Sequence, residues 1–439
     1  AAKATEAEAA KAAEAEAAQA AEAEAAQAAE AEAAKAAEAE AAKAAEAEAA
    51  KAAEAEAAKA AEVEAAKAQA EPEQTVKQPD VIEPVAEANT AAAAAVASDG
   101  STAVSTDADV TTETVTEDNS RSSSEEFQTS VTGTPTQAVT AAPKRDGMSK
   151  FEKALLLGLG AVVVGSILKN GDKVVSGSGD RVVVERDGEL RVLKDDDALL
   201  RQPGSELRTE TFRDGSTRTI VYRDDGSSIV TIRAADGRVL SRTRITPSGE
   251  AIVLFDDTAV SERQIVVSAL PKAAKPINLN AGAESLALQM ALQNEMRAAS
   301  GVGGFSLRQI REITQVRALA PEIELDAVRF ETGSAAIKPE QARSLARIGT
   351  AIQDMIKADP RTIILVEGHT DAVGSASYNL ALSDRRAETV ALALTEYFGV
   401  PPENMVVQGY GESALKIQTD ADEPANRRAV VRNITALLR

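Results

Sequence analysis

Residues 1–69 repeat an eight-residue unit, A-A-K/Q-A-A-E-A-E, about eight times with little variation. No other feature restricts the fold as much. Alanine, Glu, Lys and Gln are strong helix formers, and no Gly or Pro interrupts them. Every Lys from Lys11 to Lys59 has a Glu three residues away on both sides, as in Glu8, Lys11 and Glu14, so charge pairs lace the surface. Eight residues turn a helix by two turns plus roughly 80°, so the charges spiral and leave no fixed apolar seam. The repeat predicts a long single helix over residues 1–70, on the order of 100 Å if continuous, serving as a spacer.

The formal charge of −21 follows the same division. The first 147 residues carry −19 of it, so the rest of the chain is close to neutral. An acidic tail on a neutral body argues against nucleic acid as a partner. Cysteine is absent, which excludes disulfide scaffolds, thiolate metal sites and cysteine catalysis. No metal-ligand set or cofactor motif appears elsewhere. The chain starts at Ala1 with neither Met nor the regions of a signal peptide, which reads as a removed leader or a missing start.

After the repeat, Pro72, Pro79 and Pro84 stop the helix, and Ser, Thr, Ala, Asp and Glu dominate residues 71–147. That composition predicts a disordered acidic linker. Residues 151–169 contain the one strongly apolar run, Phe151–Leu168, with Gly158, Gly160 and Gly165. It is short for a membrane span, but flanking Lys150, Lys153 and Lys169 could stretch it. Membrane insertion and self-association through a packed helix both stay open.

Residues 172–256 read as an antiparallel β-meander. Asp214–Gly215, Asp225–Gly226, Asp236–Gly237 and Ser248–Gly249 mark turns between β-branched segments such as Thr217–Arg223 and Ser228–Arg233. Arg and Thr alternate there with Ile and Val, which predicts one solvated face. The clusters Asp195–Asp197 and Asp224–Asp225 read as turn and solubility elements rather than calcium ligands. Residues 271–321 form a helical connector, with an amphipathic helix near 283–299 and a second helical stretch over Leu307–Ala318.

From residue 322 the pattern is that of an α+β domain of order βαβαββ, with helices packed on a small mixed sheet. Ile323–Phe330 alternates as a strand, and Pro339 stands at a plausible helix start. Leu345, Ile348, Ile352 and Ile356 recur at helical spacing. Thr362–Val366, Met405–Gln408 and Arg428–Ile434 read as strands, and Tyr378–Phe398 as a helix ended by Gly399. One row of that helix reads Tyr378, Leu382, Arg386, Val390, Leu394, Phe398: an arginine on an apolar face. A desolvated guanidinium requires an anion. Asn379 and Ser383 lie on the same side, whereas Asp384, Arg385 and Glu388 read as solvated surface. Asp371 closes the preceding turn. Asp371 and Arg386 together suit a zwitterion, ammonium to the first and carboxylate to the second, or else pair with each other.

The run Gly368-His369-Thr370-Asp371, Gly374, Tyr378-Asn379, Leu382-Ser383, Arg385-Arg386-Ala387, then Gly409-Tyr410-Gly411-Glu412 and Asn426-Arg427-Arg428, resembles the OmpA-like peptidoglycan-binding domain family over about 115 residues. The resemblance implies a non-catalytic protein whose Asp371 and Arg386 grip the diaminopimelate of a peptidoglycan stem peptide. Asn379, Thr370, Gly368, Arg427 and Arg428 would help bind, and His369, Ser383 and Asn426 would support. One departure is visible: Asp422-Glu423 replaces the Gly-Arg usual before the last motif.

These readings describe a cell-envelope protein, periplasmic or associated with the outer membrane of a Gram-negative bacterium, tethered to the wall. Two alternatives stand: a MotB-like single-pass inner-membrane anchor through Phe151–Leu168, and a wall hydrolase using Glu367 and His369.

Overall fold

A computed structural model describes residues 81–82, 95, 108–117, 119–125, 167, 171–178, 181–186, 188–235, 237–258, 262, 264–277, 303–325, 328, 330, 333–337 and 342–438. The octad repeat, nearly all of the 151–169 run, the helix expected near 283–299 and Pro339 lie outside them. Among the described residues no helix is long and apolar enough to cross a membrane.

The stretch expected to be a disordered linker contributes two strands, β1 (Val81–Ile82) and β2 (Asp109–Thr114). The β-branched sequence D-V-T-T-E-T suits an edge strand whatever the composition around it. The meander divides into two antiparallel sheets. A three-stranded sheet contains β3 (Lys173–Ser178), β4 (Arg181–Arg186) and β5 (Glu189–Leu193). A six-stranded sheet contains β6 (Glu206–Thr211), β7 (Thr217–Tyr222), β8 (Ser228–Arg233), β9 (Val239–Ile245) and β10 (Ala251–Asp256), in the order β10-β9-β8-β7-β6-β2. Its turns are built alike: the Asp214 and Asp225 carboxylates accept from the backbone N–H two residues on, at 3.0 and 2.8 Å. Gly215 and Gly226 then take φ of 84° and 81°, which a Cβ would resist. Beyond the meander, β11 (Ile265–Val266) pairs with β1.

The solvated face expected of this sheet is not found on its central strand, since every residue of β8 is buried, whereas the edge strands β2 and β10 keep exposed residues. The arginines on it are buried against carboxylates. Arg233 reaches Asp195 and Asp197 at 2.7 and 2.8 Å, and Arg242 reaches Asp197 at 3.2 Å. Asp195–Asp197 is therefore an internal counter-charge rather than a solubility element. Burial would raise the Asp195 carboxyl, but Arg233 and Arg201 hold it below its ordinary value. No group of acidic and histidine side chains among the described residues is arranged to hold a metal ion.

The connector supplies α1 (Leu307–Glu312), capped by Ser306 and Gln309 in a reciprocal box, and α2 (Thr314–Arg317). The C-terminal region has the expected order: β12 (Ile323–Glu324), α3 (Ala346–Ala358), β13 (Ile364–Gly368), α4 (Ala376–Phe398), β14 (Met405–Gly409) and β15 (Ala429–Asn433). β12 is confined to two residues where a longer strand was expected. The sheet runs β12-β15-β13-β14, with β13 parallel to β14 and antiparallel to β15. One face, including Val366, Val407 and Val431, packs on Ile348, Ile352 and Ile356 of α3 and Val390 and Leu394 of α4. The other face, with Leu365 and Val406, packs on Ile310 and Val316 of the connector and on Leu254 and Phe255 of β10. Helices from the domain cover one face, and the rest of the chain covers the other.

Candidate functional site

The site forms where β13 ends and α4 begins. Two glycines let the helix lie directly on strand backbone. A Cβ on Gly368 would stand 1.9 Å from the Ser383 carbonyl, and one on Gly409 would stand 2.4 Å from the Asp384 nitrogen. Gly368 is thus a packing residue of the site. Ser375 caps α4 through its hydroxyl, and Gly399 (φ 62°) ends it.

The turn after β13 is tied to its neighbours by backbone bonds. Thr370 N–H donates to Gly411 at 3.0 Å, and His369 N–H donates to Arg428 at 3.0 Å. Asn379 Nδ2 donates to the Val373 carbonyl (3.1 Å) and to Glu412 (2.7 Å), joining the turn to the loop after β14. Ser383 Oγ accepts from Gly411 N–H at 2.8 Å. Asn426 Oδ1 accepts from Lys416 and Ile417 N–H at 2.8 and 2.9 Å and closes the loop that precedes β15. Asn379 therefore shares the bracing role expected of Ser383 and Asn426. Arg428 donates to Glu322 and to the Ala414 carbonyl, both at 3.3 Å, on the far side of that loop.

Asp371 and Arg386 lie within electrostatic reach of each other. Arg386 is 2% exposed. Its Nε donates to the Ser334 carbonyl at 3.0 Å, and its guanidinium carbon stands 5.0 Å from the Phe330 ring centre. Burial draws the guanidinium down to about 10, against the opposing pull of Tyr378 and Asp371, and nearby Arg427 adds to the depression. Asp371 accepts Arg427 Nη1 at 2.6 Å on one oxygen and Val373 N–H at 3.3 Å on the other. The expected alternative was an Asp371–Arg386 pair; the direct partner found is Arg427. Ser334 and Phe330, which flank Arg386, carry no signal in the sequence that would single them out.

His369 is buried and stacks on Tyr410, with ring centres 5.7 Å apart. Its Nε2 lies 3.4 Å from Glu367 Oε2, an electrostatic contact too long for a firm hydrogen bond. Burial pulls the imidazole below its ordinary value even with Glu367 beside it. Burial would raise the Glu367 carboxyl, but Arg432 at 2.7 Å, His369 and Arg317 bring it to about 2. A fully ionised acid and a neutral imidazole, both enclosed, make a structural pair. Arg317, whose guanidinium carbon sits 3.7 Å from the Tyr410 ring centre, belongs to the same network and gave no sequence signal.

Asp384, Arg385 and Glu388, expected to be solvated, are buried at 0, 3 and 4% exposure. The three-stranded sheet packs on that side of α4. Arg181 Nε bonds to Asp384 at 2.7 Å, Lys194 Nζ bonds to its other oxygen at 2.7 Å, and Arg181 also bonds to Glu388. Burial alone would raise the Asp384 carboxyl; Lys194 and Arg181 hold it at about 2.

The OmpA family model matches residues 329–429. Outer membrane porin F of Pseudomonas fluorescens is 35% identical over 108 residues, 24% of this chain and 31% of that protein. Outer membrane protein A of Shigella flexneri is 30% identical over 118 residues, 26% of this chain and 33% of that protein. The match thus spans about a third of the length of these curated relatives. Among solved structures, the peptidoglycan-associated lipoprotein from Burkholderia pseudomallei is 29% identical, covering 24% of this chain and 86% of that one at a TM-score of 0.21. The C-terminal region of this chain is an OmpA-like domain.

Proposed function

We propose that the protein is a non-catalytic component of a Gram-negative cell envelope that holds peptidoglycan through its C-terminal domain. The ligand group is the free end of diaminopimelate in the stem peptide, its ammonium on Asp371 and its carboxylate on Arg386. One observation carries this reading: Asp371, in the turn after β13, and the buried Arg386 of α4 stand in electrostatic reach of each other. An arriving carboxylate would offset that desolvation with a bidentate, charge-assisted bond. The matched outer-membrane proteins and the family motif support an envelope location.

Glu367 and His369 are enclosed, and Glu367 is already engaged with His369 and Arg432, which speaks against their use as an acid/base pair in wall cleavage. The test is retention of the full chain on diaminopimelate-type peptidoglycan, repeated with lysine-type peptidoglycan. Asp371→Ala and Arg386→Ala are expected to abolish retention with an unchanged circular dichroism spectrum. Equal binding by both variants and wild type would sink the clamp. Release of muropeptides without retention would point to a hydrolase instead.

A further inference from the structure

Asp371, the proposed seat of the ligand's ammonium, already holds a cation. Arg427 Nη1 stands 2.6 Å from Asp371 Oδ2, the separation that an ammonium would take there. The same nitrogen bonds to Asp422. The two carboxylates sharing this guanidinium differ in setting. The Asp371 side chain is 11% exposed at the base of the turn, whereas that of Asp422 is 72% exposed on the loop before β15. Arg427 itself is partly exposed and leaves the backbone just ahead of β15, so its side chain can change partners without disturbing the sheet.

Arg427 also acts on the other half of the clamp. With Arg427 on Asp371, its charge adds to the burial that depresses Arg386. Counting Asp371, Asp422, Arg386 and Arg427, the site is balanced in charge, but its inner carboxylate is already occupied. It becomes matched to a zwitterion only when Arg427 steps away.

We propose that Arg427 is a displaceable gate on this site, filling the ammonium position of Asp371 in the free protein and moving fully onto Asp422 when a ligand's ammonium arrives. The proposal rests on the peptidoglycan reading above. Arg427 is then a positioning residue rather than a ligand contact, and Asp422 is the receiving carboxylate. The departure of the loop from the family pattern, Asp422-Glu423 in place of Gly-Arg, supplies the acceptor. The exchange favours a ligand that brings both charges. An amine alone must dislodge Arg427 with nothing to offer Arg386, whereas a zwitterion gains a carboxylate–guanidinium bond in the same step.

The experiment is calorimetric titration of the full chain with a soluble stem peptide containing meso-diaminopimelate. Removing an exposed competing ion pair changes affinity by about fivefold or less. Arg427→Gln is expected to bind about three- to fivefold tighter than wild type, and Asp422→Asn weaker by a similar factor. The double variant should match Arg427→Gln alone, because Asp422 acts only through Arg427. Weaker or unchanged binding by Arg427→Gln would overturn the gate, the weaker result making Arg427 a direct contact. Unchanged or tighter binding by Asp422→Asn would remove Asp422 as the acceptor and overturn the exchange. Failure of the underlying reading looks different: wild type would not bind, or Asp371→Ala would bind as wild type does.

Discussion

Gly368 and Arg386 show how differently single residues enter this site. Gly368 has no side chain, and its missing Cβ sets the distance between β13 and α4. Gly368→Ala would place a methyl 1.9 Å from the Ser383 carbonyl, a backbone atom that cannot rotate away. The helix and strand must separate, and we expect a loss of about 3 kcal/mol or more, in the range of severe overpacking. Val373→Ala, in the same turn but 52% exposed, should stay within ~0.5 kcal/mol. Urea denaturation of both variants checks the contrast, and comparable midpoints would show that the close approach is not maintained in solution. At Arg386 the chemistry is particular to guanidinium, which lies by the Phe330 ring while donating to Ser334. Arg386→Lys keeps the charge but not the planar fork. It should therefore lose peptidoglycan retention nearly as fully as Arg386→Ala, as a pull-down would show.

At the scale of the element, α4 is organised by charge on two sides. Arg386 faces the binding turn, and Asp384 faces the three-stranded sheet. Asp384→Ala would leave Arg181 and Lys194 buried without that carboxylate. Breaking a buried ion pair in this way costs about 3–5 kcal/mol. The expected readout is a lower denaturant midpoint at unchanged m-value. A change below ~1 kcal/mol would mean that water reaches the pair. The row of apolar residues around Arg386 made the helix and its buried arginine legible in the sequence. The Asp384 side was not legible, because Asp384, Arg385 and Glu388 read along one helix as an ordinary solvated face. Its counter-charges, Arg181 and Lys194, lie about two hundred residues earlier, and no periodicity within α4 refers to them.

For the whole molecule, the meander and the C-terminal domain share buried ion pairs, including a bidentate bond from Arg223 to Glu403 at 3.0 and 2.7 Å. Two other buried carboxyls, with His369, give the pH dependence of stability a definite sign. Glu367 and Asp384, ordinarily at 4.5 and 3.8, both sit at about 2 in the fold. Depressed carboxyls stabilise above their unfolded values, and that stability is lost as pH falls toward 2. His369, ordinarily at 6.5, is also depressed, so the unfolded chain binds its proton first and acidification below 6.5 disfavours the fold. All three act in one direction. Thermal melts should fall steadily from pH 7 to 3, and His369→Gln should flatten the portion just below pH 6.5 while leaving the fall below 4.5. A maximum of stability near pH 4 would contradict the assignment of these buried charges.

By itself the sequence determined the local order: turns where Asp and Gly coincide, α4 from its spacing and caps, the βαβαββ succession, and the motif that marks Asp371 and Arg386. These are settled by neighbours along the chain, through backbone sterics and the period of apolar residues. Only the tertiary structure decided which polar groups would be enclosed and by whom. It put Arg427 rather than Arg386 on Asp371, turned Asp195–Asp197 into a counter-charge for buried arginines, and drew strands from a stretch whose composition reads as linker. Pairing between distant charges depends on where the whole chain excludes water, and no window of sequence contains that information.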